Sequence, residues 1–334
     1  MKFLCNKYGR SYLLYNRYHK LNIETVKNII IDDNNAIYDD FKGYLFCQIV
    51  IEFLLVKYRK NILKYIIDSK EQNIFQVLAT SDREFCSKLY NYFISKEYLV
   101  PYFLNLNKKT NHFTFYFSNL LNDKTLNDLI YKLENNFSYI CDICNVNADE
   151  VENYNANVYI YDSISDFHYD LHNTRLDNWF TGESIIDTVC LVNPDKTQPP
   201  HDYNSQLNIA LHEFGHIITL RDNKWRPPWL KEGVALYYAN PTRDDIVKKS
   251  YLKYPLDDKN LYILFGDNYK EFQINGGYVY SHTIIAYIIK KYSLNTLKLI
   301  LATLEKSPFE ILEIEKKDFC YKWLNFFKNE YIDK

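Results

Sequence analysis

The chain has no long apolar run. Its longest apolar stretch, Tyr44 to Val56, is broken by Gln48 and Glu52. It falls short of the roughly 20 residues a membrane helix needs. The first ten residues carry charges every few positions and do not read as a secretory signal. These absences predict a cytoplasmic protein with no membrane partner. A strong charge of one sign is missing too, since 40 Lys and Arg stand against 42 Asp and Glu. That balance gives no electrostatic case for nucleic acid. The 7 cysteines are odd in number and come without an export signal, so they read as reduced thiols. Cys141-Asp142-Ile143-Cys144 has no second pair and no βαβ surroundings, and reads as core or surface thiols.

What remains is an ordinary globular composition. The chain has 334 residues, 47% hydrophobic and 25% charged, which leaves room for two domains. The 32 Tyr and 21 Phe accompany abundant Asn, Ile and Lys, the pattern of an AT-rich coding bias. A tyrosine-rich stretch therefore signals little by itself.

One segment carries chemistry. His212-Glu213-Phe214-Gly215-His216 spells H-E-x-x-H, and Trp229-Leu230-Lys231-Glu232-Gly233-Val234-Ala235 follows downstream. Positions i and i+4 of a helix lie one above the other, so both imidazoles can converge on one Zn2+ ion. Glu213 sits about 100° around that helix, near the ion without ligating it. A catalytic zinc site needs three protein ligands and an open position, and Glu232 supplies the third. Ser205 to Leu220 reads as a helix with Leu207, Ala210, Leu211, Phe214, Ile217 and Ile218 on its apolar side. Arg221 to Pro228 reads as a loop and Trp229 to about Asn240 as a second helix, ended by Pro241. Asp202 and Asn204 read as caps of the first helix. Gly215 inside that helix costs about 1 kcal/mol against alanine, which a close packing partner or the metal would offset.

At these residues the chain resembles the gluzincin metallopeptidases, specifically the peptidase MA-like group whose second helix reads W-L-x-E-G-x-A. The resemblance covers roughly Asn122 to the C-terminus. It implies an α/β lobe before the zinc helix, for which Thr125 to Ile143 reads as a helix and Asn157 to Tyr161 as a strand. It also implies an edge strand beside the cleft, assigned to Thr188 to Pro194, that pairs with an extended substrate backbone. The G-x-M-E-N segment of related aminopeptidases is missing, which favours internal cleavage. In the family's manner, Glu213 is general base and then acid. A tyrosine from a later helix donates to the oxyanion, with Tyr278 preferred to Tyr280. His201, just before the zinc helix, is placed to line the cleft. His168, His172 and His282 show no ligand spacing and read as ordinary surface or core residues.

The N-terminal hundred residues repeat the C-terminal ones. Gly43-Tyr44 matches Gly277-Tyr278, Lys57-Tyr58 matches Lys291-Tyr292, and Phe85-Cys86 matches Phe319-Cys320, all at one offset of 234. About 17 of 51 ungapped positions are identical, where composition alone would give about 4 or 5. Both copies have helical periodicity, but the first has no zinc motif before it.

The sequence thus predicts an α+β protein. A zincin-like catalytic domain spans 98–334, with an α/β lobe over 98–200 and a helical lobe with the zinc site over 201–334. A mainly helical appendage over 1–97 repeats the C-terminal helical segment. The predicted activity is zinc-dependent hydrolysis of a peptide or protein substrate. His212, His216 and Glu232 are the metal ligands, and Glu213 with Tyr278 or Tyr280 the catalytic groups. No residue pattern dictates an oligomeric state. The same residues also fit a non-catalytic zinc protein that binds peptide or is structural, and a zinc hydrolase for a non-peptide substrate.

Overall fold

Five strands form one sheet: β1 (Leu106–Lys109), β2 (Phe113–Phe117), β3 (Ala156–Tyr161), β4 (Gly182–Ile185) and β5 (Thr188–Val192). Their order is β1-β2-β3-β5-β4. The structure, a computed structural model, describes residues from 50 onward except 52, 56, 59–60, 70–73, 95–99, 102, 147–150, 152–153, 173, 186, 221–225, 240–243, 304 and 334. The helices are α1 (Ile62–Asp68), α2 (Ile74–Val77), α3 (Asp82–Ile94), α4 (Asp123–Ile143), α5 (Ile164–His172), α6 (Tyr203–Leu220) and α7 (Pro228–Ala239). There follow α8 (Asp244–Lys253), α9 (Asp258–Leu264), α10 (Tyr269–Ile274), α11 (Gly277–Lys291), α12 (Leu294–Ala302), α13 (Pro308–Ile311) and α14 (Lys316–Phe327). The protein is mixed α+β, and no described helix is long and apolar enough to cross a membrane.

The chain divides into two compact units. One comprises the described residues up to Lys108 with Phe115–Leu121 and Tyr159–Phe180, and the other Lys109–Thr114, Asn122–Val158 and Thr181–Lys334.

The sheet corrects one expectation. Thr188–Val192 is not the edge strand, because β5 lies between β3 and β4 and is buried at every position. An unbroken apolar run is what a strand covered on both faces requires. The edge belongs to β4, paired antiparallel to β5 with Gly182 opposite Leu191 and Ile185 opposite Thr188.

In the second unit α6, which carries the H-E-x-x-H motif, is braced on three sides. Asp202 begins it, its Oδ1 accepting from the Ser205 N–H at 2.7 Å while the Ser205 hydroxyl accepts from the Asp202 N–H at 2.7 Å. That reciprocal pair satisfies donors the first turn would otherwise leave open. Asn204 makes no such cap and lies inside the first turn. Buried Gln206 then ties the helix to the sheet, its amide donating to the carbonyls of Thr181 at 2.8 Å and Val192 at 3.0 Å. Phe214 stacks on Phe137 of α4 at 5.7 Å and meets Phe113 edge-on at 5.0 Å.

The helical repeat recurs in three dimensions, each copy within its own unit. Helices α2 and α13 span 74–77 and 308–311, and α3 and α14 begin at 82 and 316, always 234 positions apart. Ring pairs recur as well. Phe53–Phe85 at 5.5 Å corresponds to Tyr287–Phe319 at 5.4 Å, and Phe75–Phe85 at 5.7 Å to Phe309–Phe319 at 5.5 Å. Phe53–Tyr92 at 5.3 Å corresponds to Tyr287–Phe326 at 5.1 Å. Both short helices end alike, with Ala79 at φ 49° and Glu313 at φ 51°. In each, an N–H one residue later reaches back to the ring-bearing residue, Thr80 to Phe75 O and Ile314 to Phe309 O. This is a Schellman cap, formed twice without the glycine it favours. The Gly43-Tyr44 end of the repeat lies outside the described residues.

Candidate metal centre

The second arm of the centre, α7, begins at Pro228, just after Pro227, and buries Trp229 completely between Phe265 at 5.6 Å and Phe309 at 6.2 Å. Small residues then let it approach two helices at once. A β-carbon on Gly215 would sit 3.3 Å from Ala235 Cα, so α6 and α7 pack closely where the motif places glycine and alanine. A β-carbon on Gly233 would sit 2.6 Å from the Ser281 carbonyl oxygen, closer than contact allows, so only glycine fits against α11.

This packing brings three ligand-type groups together. His212 Nε2 lies 3.0 Å from His216 Nε2, and Glu232 Oε2 lies 3.1 Å from His216 Nε2 and 3.6 Å from His212 Nε2. Tetrahedral ligands at about 2.0–2.1 Å from zinc stand about 3.3 Å from one another. The observed separations bracket that figure, so the donor set fits one such ion. Among the described residues the cluster has three members, which matches an open site better than a closed one. His201 is not among them.

Glu213 stands beside this triangle, its Oε1 4.0 Å from His212 Nε2, and the Ser184 side chain on β4 hydrogen-bonds it. Burial pushes the Glu213 carboxyl up to about 7, and the nearby Glu232 charge adds to the shift. Burial acts the same way on Glu232, but the charge and hydrogen bond of His216, then His212 and Lys231, bring it down to about 2. The two carboxyls are thus shifted in opposite directions, Glu232 down beside the imidazoles and Glu213 up by burial.

The tyrosine candidates separate. The Tyr278 hydroxyl lies in this neighbourhood, where burial and then the charge of Glu232 raise its pKa. Tyr280 corrects the alternative choice. It is fully buried between Trp323 and Phe327, and its hydroxyl donates to the Tyr254 carbonyl, which commits it to the core. A residue that the sequence reading missed completes the group. Tyr269 donates its hydroxyl to Glu232 Oε1 at 2.8 Å and meets the Tyr278 hydroxyl. Nothing in the pattern around Tyr269 distinguishes it from the other tyrosines.

Of the other described histidines, His168 and His282 are buried. His168 uses both ring nitrogens, Nε2 toward Phe180 O at 2.7 Å and Nδ1 toward the Leu176 N–H at 3.2 Å. His282 is fully buried, with Nδ1 3.1 Å from Val279 O. Cys141 and Cys144 are buried thiols outside any disulfide. No known protein-family description matches the chain, and no curated protein matches it either.

Proposed function

We propose that the chain is a zinc-dependent metallopeptidase with a zincin-like catalytic domain, acting on peptide bonds within a polypeptide. The observation that supports it most is the convergence of His212 Nε2, His216 Nε2 and Glu232 Oε2 beside a fourth group, Glu213, that is not part of the triangle. A purely structural site has no use for Glu213 in that place.

A zinc ion held by the three ligands would supply a Lewis acid that acidifies water and polarises a carbonyl. Glu213 would take the proton of the attacking water on Oε1 and deliver it to the leaving nitrogen. Tyr278 would donate its hydroxyl to the oxygen on which negative charge develops. Strand β4 lies at an edge of the sheet, and Ser184 on that strand hydrogen-bonds Glu213. An extended peptide laid along β4 would be presented to that carboxylate.

The reading is tested by stripping the protein with a chelator and restoring zinc. Peptide cleavage should vanish and return with one equivalent of metal. Cleavage that survives stripping, or none in the zinc-loaded protein, contradicts it.

A further inference from the structure

Each hydroxyl at the centre has one proton to donate. Glu232 as a ligand carboxylate only accepts, so the 2.8 Å contact at Oε1 uses the proton of Tyr269. In the contact between Tyr269 and Tyr278 the donor is then Tyr278. The three residues form one directed chain, Tyr278 to Tyr269 to Glu232, ending on the oxygen that does not face His216. Lys231 Nζ lies 3.8 Å from the same Oε1 and 5.9 Å over the Tyr269 ring.

We propose that Tyr269 is a positioning residue of the metal centre: it ties off Glu232 Oε1, so that Oε2 alone is presented to the metal, and it holds the Tyr278 hydroxyl in register with that ligand. This rests on the metal-binding reading of the cluster. A carboxylate with two free oxygens rotates and shifts between one-oxygen and two-oxygen coordination, whereas one oxygen fixed by a phenol fixes the other. The local structure suits the task. Asn268 caps α10 by accepting from the N–H groups of Lys270 and Glu271, which sets where Tyr269 begins the helix. Its ring packs edge-on against Tyr278 at 6.1 Å and beside buried Phe272 at 6.1 Å. Residues that orient a ligand in this way contribute about 10–100-fold to metal affinity.

The test is zinc affinity by chelator competition, together with the visible spectrum of the cobalt-substituted protein, for wild type, Tyr269→Phe and Tyr278→Phe. Tyr269→Phe removes one hydroxyl and keeps the ring. It should bind zinc about 10–100-fold more weakly and shift the cobalt bands, because the carboxylate changes its coordination. Tyr278→Phe leaves the Tyr269–Glu232 bond in place and should keep wild-type affinity and bands. Should Tyr269→Phe fail to fold, Tyr278→Phe still decides, because a loss of affinity there as large as about 10-fold contradicts the assignment. Unchanged affinity and bands in Tyr269→Phe, in a protein whose wild type binds zinc, overturn the positioning role alone. A wild type that binds no zinc overturns the metal centre and this inference with it.

Discussion

Gly233 faces Ser281 so closely that a β-carbon on it would lie 2.6 Å from the Ser281 carbonyl oxygen and 2.8 Å from Ile285 Cγ1. The neighbour of a proposed metal ligand is thus the point where α7 touches α11, the helix that bears Tyr278. Gly233→Ala must push the two helices apart, because a backbone carbonyl cannot swing aside. Overpacking of this kind costs about 1–3 kcal/mol. Urea unfolding should show that loss, and zinc affinity should fall with it as Glu232 is displaced. A variant as stable as wild type contradicts the close packing.

Arg226 joins the ends of two helices. Its guanidinium donates through Nη1 to the Thr219 carbonyl in the last turn of α6 and through Nη2 to the Leu301 carbonyl of α12 at 3.0 Å. Terminal carbonyls lack partners within their own helices, and a cation suits the negative end of the dipole. A lysine keeps the charge but lacks the planar fork that reaches both. Arg226→Lys should lose about 1.5–3 kcal/mol of stability, the worth of hydrogen bonds to a charged group. Denaturant titration at neutral pH checks it.

His168 makes the fold acid-sensitive. Burial holds it below its usual pKa, with Arg175 and His172 adding to the effect against an opposing bond to Phe180. Its Nδ1 already accepts from the Leu176 N–H, so taking a proton there breaks that bond. The unfolded chain binds this proton first as pH falls. The contribution of His168 is therefore complete above the unfolded value of about 6.5 and is lost as pH falls through the lower folded value. Unfolding free energies measured from pH 7.5 to 5 should drop more steeply for wild type than for His168→Gln. Parallel slopes contradict the assignment.

The two arms of the centre are legible in the sequence because helical spacing and chain order together place His212, His216 and Glu232. The packing at Gly215 is legible in part, since a glycine inside that helix calls for a close partner or the metal, whereas the close approach at Gly233 emerges only from the structure. Tyr269 is not legible, because it reaches Glu232 from a six-residue helix with no spacing rule to either motif. The edge strand is missed for a similar reason. Gly182-Glu183-Ser184-Ile185 is short, and its position depends on partners supplied elsewhere in the chain. The resemblance assigns Thr188 to Val192 to the edge, although an unbroken apolar run suits a strand covered on both faces, as β5 is. Among the duplicated helices, identities reveal the offset, but the matching turns at Ala79 and Glu313 are hidden, since neither residue advertises a left-handed conformation.

The role proposed for Glu213 is to move a proton at a metal centre it does not build. Its most direct test is mass-spectrometric mapping of cleavage in a diverse peptide mixture, with wild type and Glu213→Gln compared at equal, measured zinc content. Wild type should make internal cuts and Glu213→Gln none, with the same stoichiometric zinc in both. Zinc lost from Glu213→Gln, or equal cleavage by the two proteins, would contradict it.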